Sequence, residues 1–147
     1  MGGAALTLVF SARDSTRDID AVFRPKEDMQ KIISSIAAEK KLPSDWLNDT
    51  VKPFVTDKLN FDSYLQYSNL TVSVIDAESL LAMKLTSARH GTKDMDDCLF
   101  LMQRLGITTE KALFDVLDKY IVPYLRNPRV KHFTKEVYMT FLKADKT

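Results

Sequence analysis

Two aspartates one residue apart, Asp18 and Asp20, are the side chains of this sequence best suited to chemistry. They lie in the stretch "STRDIDAVF", whose other residues are typical of a hydrophobic strand. Because alternate residues of a strand face the same side, both carboxylates should project from one face, about 6 to 7 Å apart. At that spacing they can reach one divalent cation or bracket two. The alternative is that two aspartates on an edge strand only prevent edge-to-edge pairing.

A glycine pair, Gly2 and Gly3, opens a predicted helix in "GGAALTLVFSA", and Gly3 precedes Asp18 by 15 positions. The first amides of a helix have no partner within it, and this end of the helix carries partial positive charge. Such a turn can therefore hold a phosphate group. Magnesium would need the acids and phosphate would need the amides, so the two features together predict a cradle for a metal-bound phosphate compound.

Hydrophobic periodicity predicts the elements that position these residues. In the first half of the chain the order is helix, strand, helix, with the strand at 16–23 and the second helix starting at Pro25. A short helix is predicted from an N-cap at Ser44 to about residue 53. Two strands separated by Ser68-Asn69 follow, and the second covers 70–75.

The second half of the chain is predicted to be helical throughout. Helices are expected at 77–89, 92–105, 108–120 and 134–143, with Gly106 as the stop of the second. The chain therefore divides into an α/β core at 1–76 and a helical region at 77–147. Because no flexible linker separates them, the helical region is expected to pack on the core.

Composition narrows the classes of function. A formal charge of +1 gives no global electrostatic reason to bind nucleic acid or a membrane. The single cysteine, Cys98, leaves neither a disulfide framework nor a CxxC metal site, and its apolar neighbours favour a core position. The sequence contains no apolar run of about 18 residues and no secretory signal. We expect a cytoplasmic protein without a membrane partner.

The succession of a glycine pair, a helix and a strand bearing D-x-D resembles the nucleotidyltransferase superfamily of the DNA polymerase beta type. The stretches "GGAALTLVF", "STRDIDAVF", "LPSDWLND", "LLAMKLTSAR" and "KDMDD" narrow the resemblance to bacterial nucleotidyltransferase-like proteins related to abortive-infection toxins. It implies an α+β fold with an α/β core, in which helices flank a small mixed sheet and a carboxyl-terminal helical bundle follows.

The resemblance also implies an activity, namely transfer of a nucleotide from a magnesium-bound nucleoside triphosphate to an unidentified RNA or protein acceptor. It assigns the metal to Asp18 and Asp20 and the phosphates to Gly2 and Gly3. Active members supply a third carboxylate from a later strand, and Asp76, just beyond "LTVSVI", is the candidate here. Because two acids can suffice for binding, a catalytically degenerate protein is the alternative, for example one component of a toxin and antitoxin pair.

Family members carry a helix and a strand before the glycine pair, whereas Met1 immediately precedes it here. We therefore expect an amino-terminally truncated chain, in which the sheet lacks a strand.

Lys84 is a further candidate for phosphate binding. It lies at helical spacing from Leu81 and Leu85, which places its ammonium beside the buried stripe of its helix. A buried ammonium needs a partner. The sequence predicts either a phosphate or an ion pair with Asp94 or Asp97, which share one face of the following helix.

Overall fold

The computed structural model describes residues 2–12, 16, 18–87 and 93–144, and the chain forms two compact units, Met1–Val55 and Thr56–Thr147. Within those ranges the structure contains six α-helices and two sheets of two strands each. The chain is therefore of mixed α+β class, as the sequence predicts. No helix in the described ranges is both long and apolar enough to cross a lipid bilayer.

The first unit is built around a short parallel sheet. Its elements are helix α1 (Gly2–Leu8), strand β1 (Ile19–Asp20), helix α2 (Lys26–Lys40), strand β2 (Leu47–Asn48) and a 3-10 turn at Lys52–Phe54. Ile19 lies opposite Leu47 and Asp20 opposite Asn48. The Ile19 amide donates to the Trp46 carbonyl at 2.7 Å. Because the two strands are parallel, Asp20 and Asn48 lie at the same end of the sheet.

Apolar side chains fix the two helices of this unit. In α1, Ala4, Ala5 and Leu6 are buried. In α2, Ile33 and Ala37 are buried, and the Ile33 carbonyl accepts a hydrogen bond from the Trp46 indole at 3.2 Å. The helix α2 follows Pro25, whose fixed φ suits an entry into a helix, and ends at Lys41 in the left-handed region.

Four predictions for this unit meet different outcomes. The helices at the glycine pair and after Pro25 are confirmed, whereas the strand predicted at 16–23 is reduced to Ile19–Asp20. The helix predicted from Ser44 is wrong, because that segment forms β2. Pairing with β1 overrides the local helical preference, and the Asn48 side-chain oxygen accepts from the Thr50 amide at 3.1 Å. Such a turn competes with a helix for the backbone donors.

The second unit joins a hairpin to a group of helices. Its elements are strands β3 (Phe61–Gln66) and β4 (Thr71–Ile75), helices α3 (Ala77–Ser87), α4 (Asp94–Leu105) and α5 (Glu110–Tyr120), a 3-10 turn at Pro123–Leu125, and helix α6 (Pro128–Ala144). The strands pair antiparallel with an irregularity between Ser63 and Leu65. Helix α3 is buried along most of its length and packs against α4, α5 and α6.

The hairpin and the four helices are confirmed within the described residues, although the predicted ends at 88–89 and 92 lie outside them. Gly106 caps α4 with φ 66°, as predicted. Helix α6 begins at Pro128, well before residue 134, because the Asn127 side chain accepts from the Val130 amide at 3.1 Å and caps the helix. The boundary predicted at residue 76 falls within the second unit, between β4 and α3.

Candidate metal and phosphate site

Gly3 in α1 packs against Thr16, the residue two positions before Asp18. A Cβ atom at residue 3 would overlap the Thr16 hydroxyl and lie 3.3 Å from the Thr16 Cβ. The same hydroxyl donates a hydrogen bond to the Asp18 carbonyl at 3.0 Å. The close approach favours glycine at this position, since a larger side chain would require the Thr16 side chain to move. The glycine turn and the strand with the two acids are therefore adjacent in the first unit.

The acids Asp18 and Asp20 are partly buried, and a polar side chain from the turn after β2 lies beside Asp20. The Thr50 hydroxyl lies 3.5 Å from the Asp20 Oδ1 atom and donates to the Asn48 Oδ1 atom at 2.6 Å. These are carboxylate, amide and hydroxyl oxygens, the ligand types that hard divalent cations prefer. The donor set around Asp20 therefore fits magnesium rather than a metal that requires sulfur or imidazole.

Asp49, the residue between Asn48 and Thr50, forms an ion pair with a lysine. Lys26 at the start of α2 pairs with Asp49, with 2.7 Å between Nζ and Oδ2. The hydrogen bond from Lys26 lowers the pKa of Asp49. Lys26 and Asp49 therefore neutralise each other's charge.

The structure shows which metal-ligating side chains lie close enough together to share a metal ion. In the part of the chain that it describes, no three histidine, cysteine, aspartate or glutamate side chains are grouped closely enough to hold a metal ion. Magnesium commonly binds one or two protein carboxylates and completes its shell with water and substrate phosphates. Two strand acids therefore fit a magnesium nucleotide, although they do not form an all-protein metal cage.

Asp76 belongs to the second unit, where it caps helix α3. Its Oδ1 atom accepts from the Ser79 amide at 2.7 Å, and its carbonyl accepts from the Leu80 amide at 2.9 Å. An aspartate in this position satisfies an amide that the helix leaves unpaired. The residue predicted as a third metal ligand thus has a structural role of its own.

Lys84 forms ion pairs with Asp94 and Asp97, which is one of the two alternatives predicted from the sequence. Its Nζ atom lies 2.6 Å from Asp94 Oδ1 and 2.9 Å from Asp97 Oδ2, and the Asp97 side chain is only 5% exposed. Burial opposes the charged ammonium, but the hydrogen bonds to both aspartates outweigh it and raise the pKa of Lys84. The lysine therefore stays charged and holds α3 to α4.

Two polar residues of this site, Asn48 and Thr50, are absent from the sequence-based set of site residues. Their segment "WLNDT" is predicted there as a helix, which would direct these side chains differently. The available signal is a run of Asn, Asp and Thr, which is typical of a turn after a strand. Placing that run beside Asp20 requires the long-range pairing of β1 with β2, which the sequence pattern does not specify.

Comparison with known proteins identifies no relative, since no family model, curated protein or solved structure matches the chain. The class that the structure itself defines is a mixed α+β chain of two compact units. In the first unit, Gly3 of α1 packs against Thr16, two residues before Asp18.

Proposed function

We propose that this chain is a nucleotidyltransferase-like protein that binds a magnesium nucleoside triphosphate and transfers a nucleotide to an RNA or protein acceptor. The observation that carries the proposal is the contact between Gly3 and Thr16, which joins the glycine turn to the strand of acids. A phosphate site and a metal site are useful together only when they are adjacent. Coordinates that separated them would have removed this support.

In the proposed site, Asp18 and Asp20 hold the magnesium ion, and the amides of Gly2 and Gly3 contact the phosphates. Magnesium supplies positive charge that offsets the charge developing on the phosphoryl oxygens during transfer. The protein side chains bind and orient the metal nucleotide. Asp76 already uses one carboxylate oxygen to cap α3, so the proposal depends mainly on Asp18 and Asp20.

If Lys84 contacted a phosphate, the buried Asp97 carboxylate would keep only part of the positive charge that compensates it. Leaving a buried charge uncompensated is costly. The cost opposes a change of partner, so we regard contact between Lys84 and phosphate as the weaker part of the proposal.

The second candidate function is binding without transfer, in a degenerate member of the same class that acts for example with a cognate toxin or antitoxin. It is favoured by the use of Asp76 as a helix cap and by the ion pairs of Lys84, which engage both residues elsewhere. Two acids still allow a metal nucleotide to bind. Losing the third removes charge stabilisation that would be made chiefly in the transition state.

Nucleotide titration by calorimetry, with and without magnesium, tests the shared part of both functions. The full chain should bind nucleoside triphosphate only with magnesium, and Asp18→Asn or Asp20→Asn should abolish binding. Asp62→Asn, a matched change on the exposed strand β3, should leave the affinity unchanged. If the wild type does not bind, or if the Asp18 and Asp20 variants bind normally, the proposed site is wrong.

Transfer of α-labelled nucleotide to RNA or protein separates the enzyme from the binder. Incubation of the full chain with the four labelled triphosphates, total RNA and total protein should label an acceptor if the protein is an enzyme. The Asp20→Asn variant, which should not bind nucleotide, is the negative control. Binding without labelled product would favour the second candidate function.

A further inference from the structure

The last helix of the second unit, α6, is positively charged, although the chain as a whole is nearly neutral. Between Pro128 and Ala144 it carries four lysines and arginines and a single acid, Glu136, which gives a formal charge of +3. The whole chain carries +1, so the residues outside α6 together carry −2. Charge concentrated on one element in this way favours contact with a polyanion.

The charged side chains of α6 lie away from the face that packs on the other helices. The buried side chains of the helix are Val130, Phe133, Thr134, Val137 and Phe141. Lys131 and Lys135 are exposed and stand one helical turn apart, and His132 is exposed beside them. We call Lys131, His132 and Lys135 the basic face of α6.

Lys131 and Lys135 are not compensated by an acid. Within the described ranges neither lysine forms an ion pair or a side-chain hydrogen bond. Glu136 follows Lys135 directly in the helix and therefore points to a different side. Two like charges at positions i and i+4 repel each other and destabilise a helix. A phosphate bound between the two ammonium groups would remove this repulsion and would accept a charge-assisted hydrogen bond from each.

An exposed aromatic ring favours nucleic acid over other polyanions. Tyr124 lies in the 3-10 turn that precedes α6, and it is 81% exposed. Every nucleic acid base has a flat face that stacks on an aromatic ring, and proteins that bind single strands combine such rings with positive charge. An acidic protein would neutralise the two lysines equally well, but it would gain nothing specific from the ring.

We propose that the basic face of α6 binds single-stranded RNA, with Lys131 and Lys135 contacting phosphates and Tyr124 stacking on a base. This surface includes no residue of the proposed metal site. Only the further step, that the bound RNA is the acceptor of the nucleotide, rests on the proposed function. Binding through phosphates and stacking depends on salt and tolerates many sequences.

Fluorescence anisotropy of a labelled oligouridylate, titrated with the full chain at several salt concentrations, tests this surface. The wild type should bind in the micromolar range, and the logarithm of its affinity should fall linearly with the logarithm of the salt concentration. Lys131→Gln combined with Lys135→Gln removes two phosphate contacts. The slope should then decrease by about 1.4, and the affinity at low salt should fall about 10-fold or more.

The matched control combines Lys58→Gln with Lys111→Gln, two exposed lysines elsewhere in the second unit. It makes the same change in net charge and should bind RNA within about 2-fold of the wild type, because neither lysine belongs to the basic face. Thermal unfolding followed by circular dichroism shows that each variant is folded.

The role of the aromatic ring is tested with two variants of Tyr124. Tyr124→Ala should weaken RNA binding about 5-fold or more, which is the usual loss for one stacked base. Tyr124→Phe keeps the ring and should bind like the wild type. Normal RNA binding by Tyr124→Ala would overturn the assignment to RNA, because stacking would then contribute nothing.

Three other results would overturn the inference. They are no RNA binding by the wild type, an equal loss of affinity in the control double variant, and displacement of the RNA by poly-glutamate at the same concentration of charge. The last would assign the surface to acidic proteins instead. Magnesium nucleotide binding, measured by calorimetry, separates these failures from a failure of the proposed function. A chain that binds RNA but no nucleotide would keep the RNA surface and lose the proposed function, and the reverse result would do the opposite.

Discussion

The hydroxyl of Thr16 occupies space that any side chain at Gly3 would need. This contact joins the first turn of α1 to the residues that lead into β1. Because overpacking of a close contact costs free energy, a larger residue at Gly3 should lower the stability of the protein.

Gly3→Ala should destabilise the protein. Overlap of the new methyl group with Thr16 is expected to cost about 1 to 3 kcal/mol. The higher helix propensity of alanine works in the opposite direction by up to about 1 kcal/mol. We therefore expect a net loss of about 1 kcal/mol in the free energy of unfolding, measured by urea denaturation.

The control is the same substitution in a Thr16→Ala background. Without the Thr16 hydroxyl only the 3.3 Å approach to the residue 16 Cβ remains, so Gly3→Ala should become nearly neutral there. The difference between the two backgrounds isolates the contact, as in any double-mutant cycle. Equal effects in both backgrounds would show that Gly3 is not constrained by Thr16.

Lys84→Met should be among the most destabilising single changes in the second unit. It removes the cation from Asp94 and from the buried carboxylate of Asp97. Breaking a buried ion pair on one side costs about 3 to 5 kcal/mol. The decrease should appear as a lower urea midpoint, measured by circular dichroism at pH 7.

Lys111→Met provides the comparison, because Lys111 pairs with Asp115 across an exposed helix face. Exposed pairs contribute only about 0.2 to 1 kcal/mol. A Lys84 variant no less stable than the Lys111 variant would contradict the structural role assigned to Lys84. It would then strengthen the alternative that this lysine is reserved for a phosphate.

The lowered pKa of Glu78 predicts that the stability of the protein depends on pH. Hydrogen bonds from Lys119 and Tyr120 lower the pKa of this glutamate below its ordinary value of 4.5. Since the folded-state pKa is the lower one, the stabilisation is present above pH 4.5 and is lost as the pH falls through the folded-state pKa. Urea denaturation at pH values from 7 to 3 should show this loss.

Glu78→Gln removes the titrating group but preserves most of its shape. The variant should be less stable than the wild type at pH 7 and should lose less stability on acidification. The Asn60 side chain donates to Tyr120 at 3.3 Å, so the tyrosine keeps one partner in the variant. Parallel pH profiles for the two proteins would show that Glu78 does not carry the predicted effect.

Local sequence signals explain the elements that were predicted well. The alternation in "TVSVI" marks β4, and the glycine at position 106 ends α4 in a conformation that favours glycine. By contrast, β2 depends on pairing with β1 across a long stretch of chain, and its residues have no strand pattern of their own. Thr50 was missed for the same reason.

The role of Asp76 gives a prediction that separates a helix cap from a metal ligand. Asparagine caps helices about as well as aspartate, so Asp76→Asn should preserve the bond from the Ser79 amide and leave stability nearly unchanged. Asp76→Ala removes the cap and should cost about 1 kcal/mol. Urea denaturation measures both effects.

Mn²⁺ titration of the same two variants addresses the other role. If Asp76 acts only as a cap, Asp76→Asn should bind Mn²⁺ like the wild type, because the strand acids are intact. A clear loss of affinity in Asp76→Asn without a loss of stability would assign Asp76 to the metal instead. In that case Asp76 would be the third carboxylate of the metal site. Nucleotide transfer, rather than binding without transfer, would then be the favoured function.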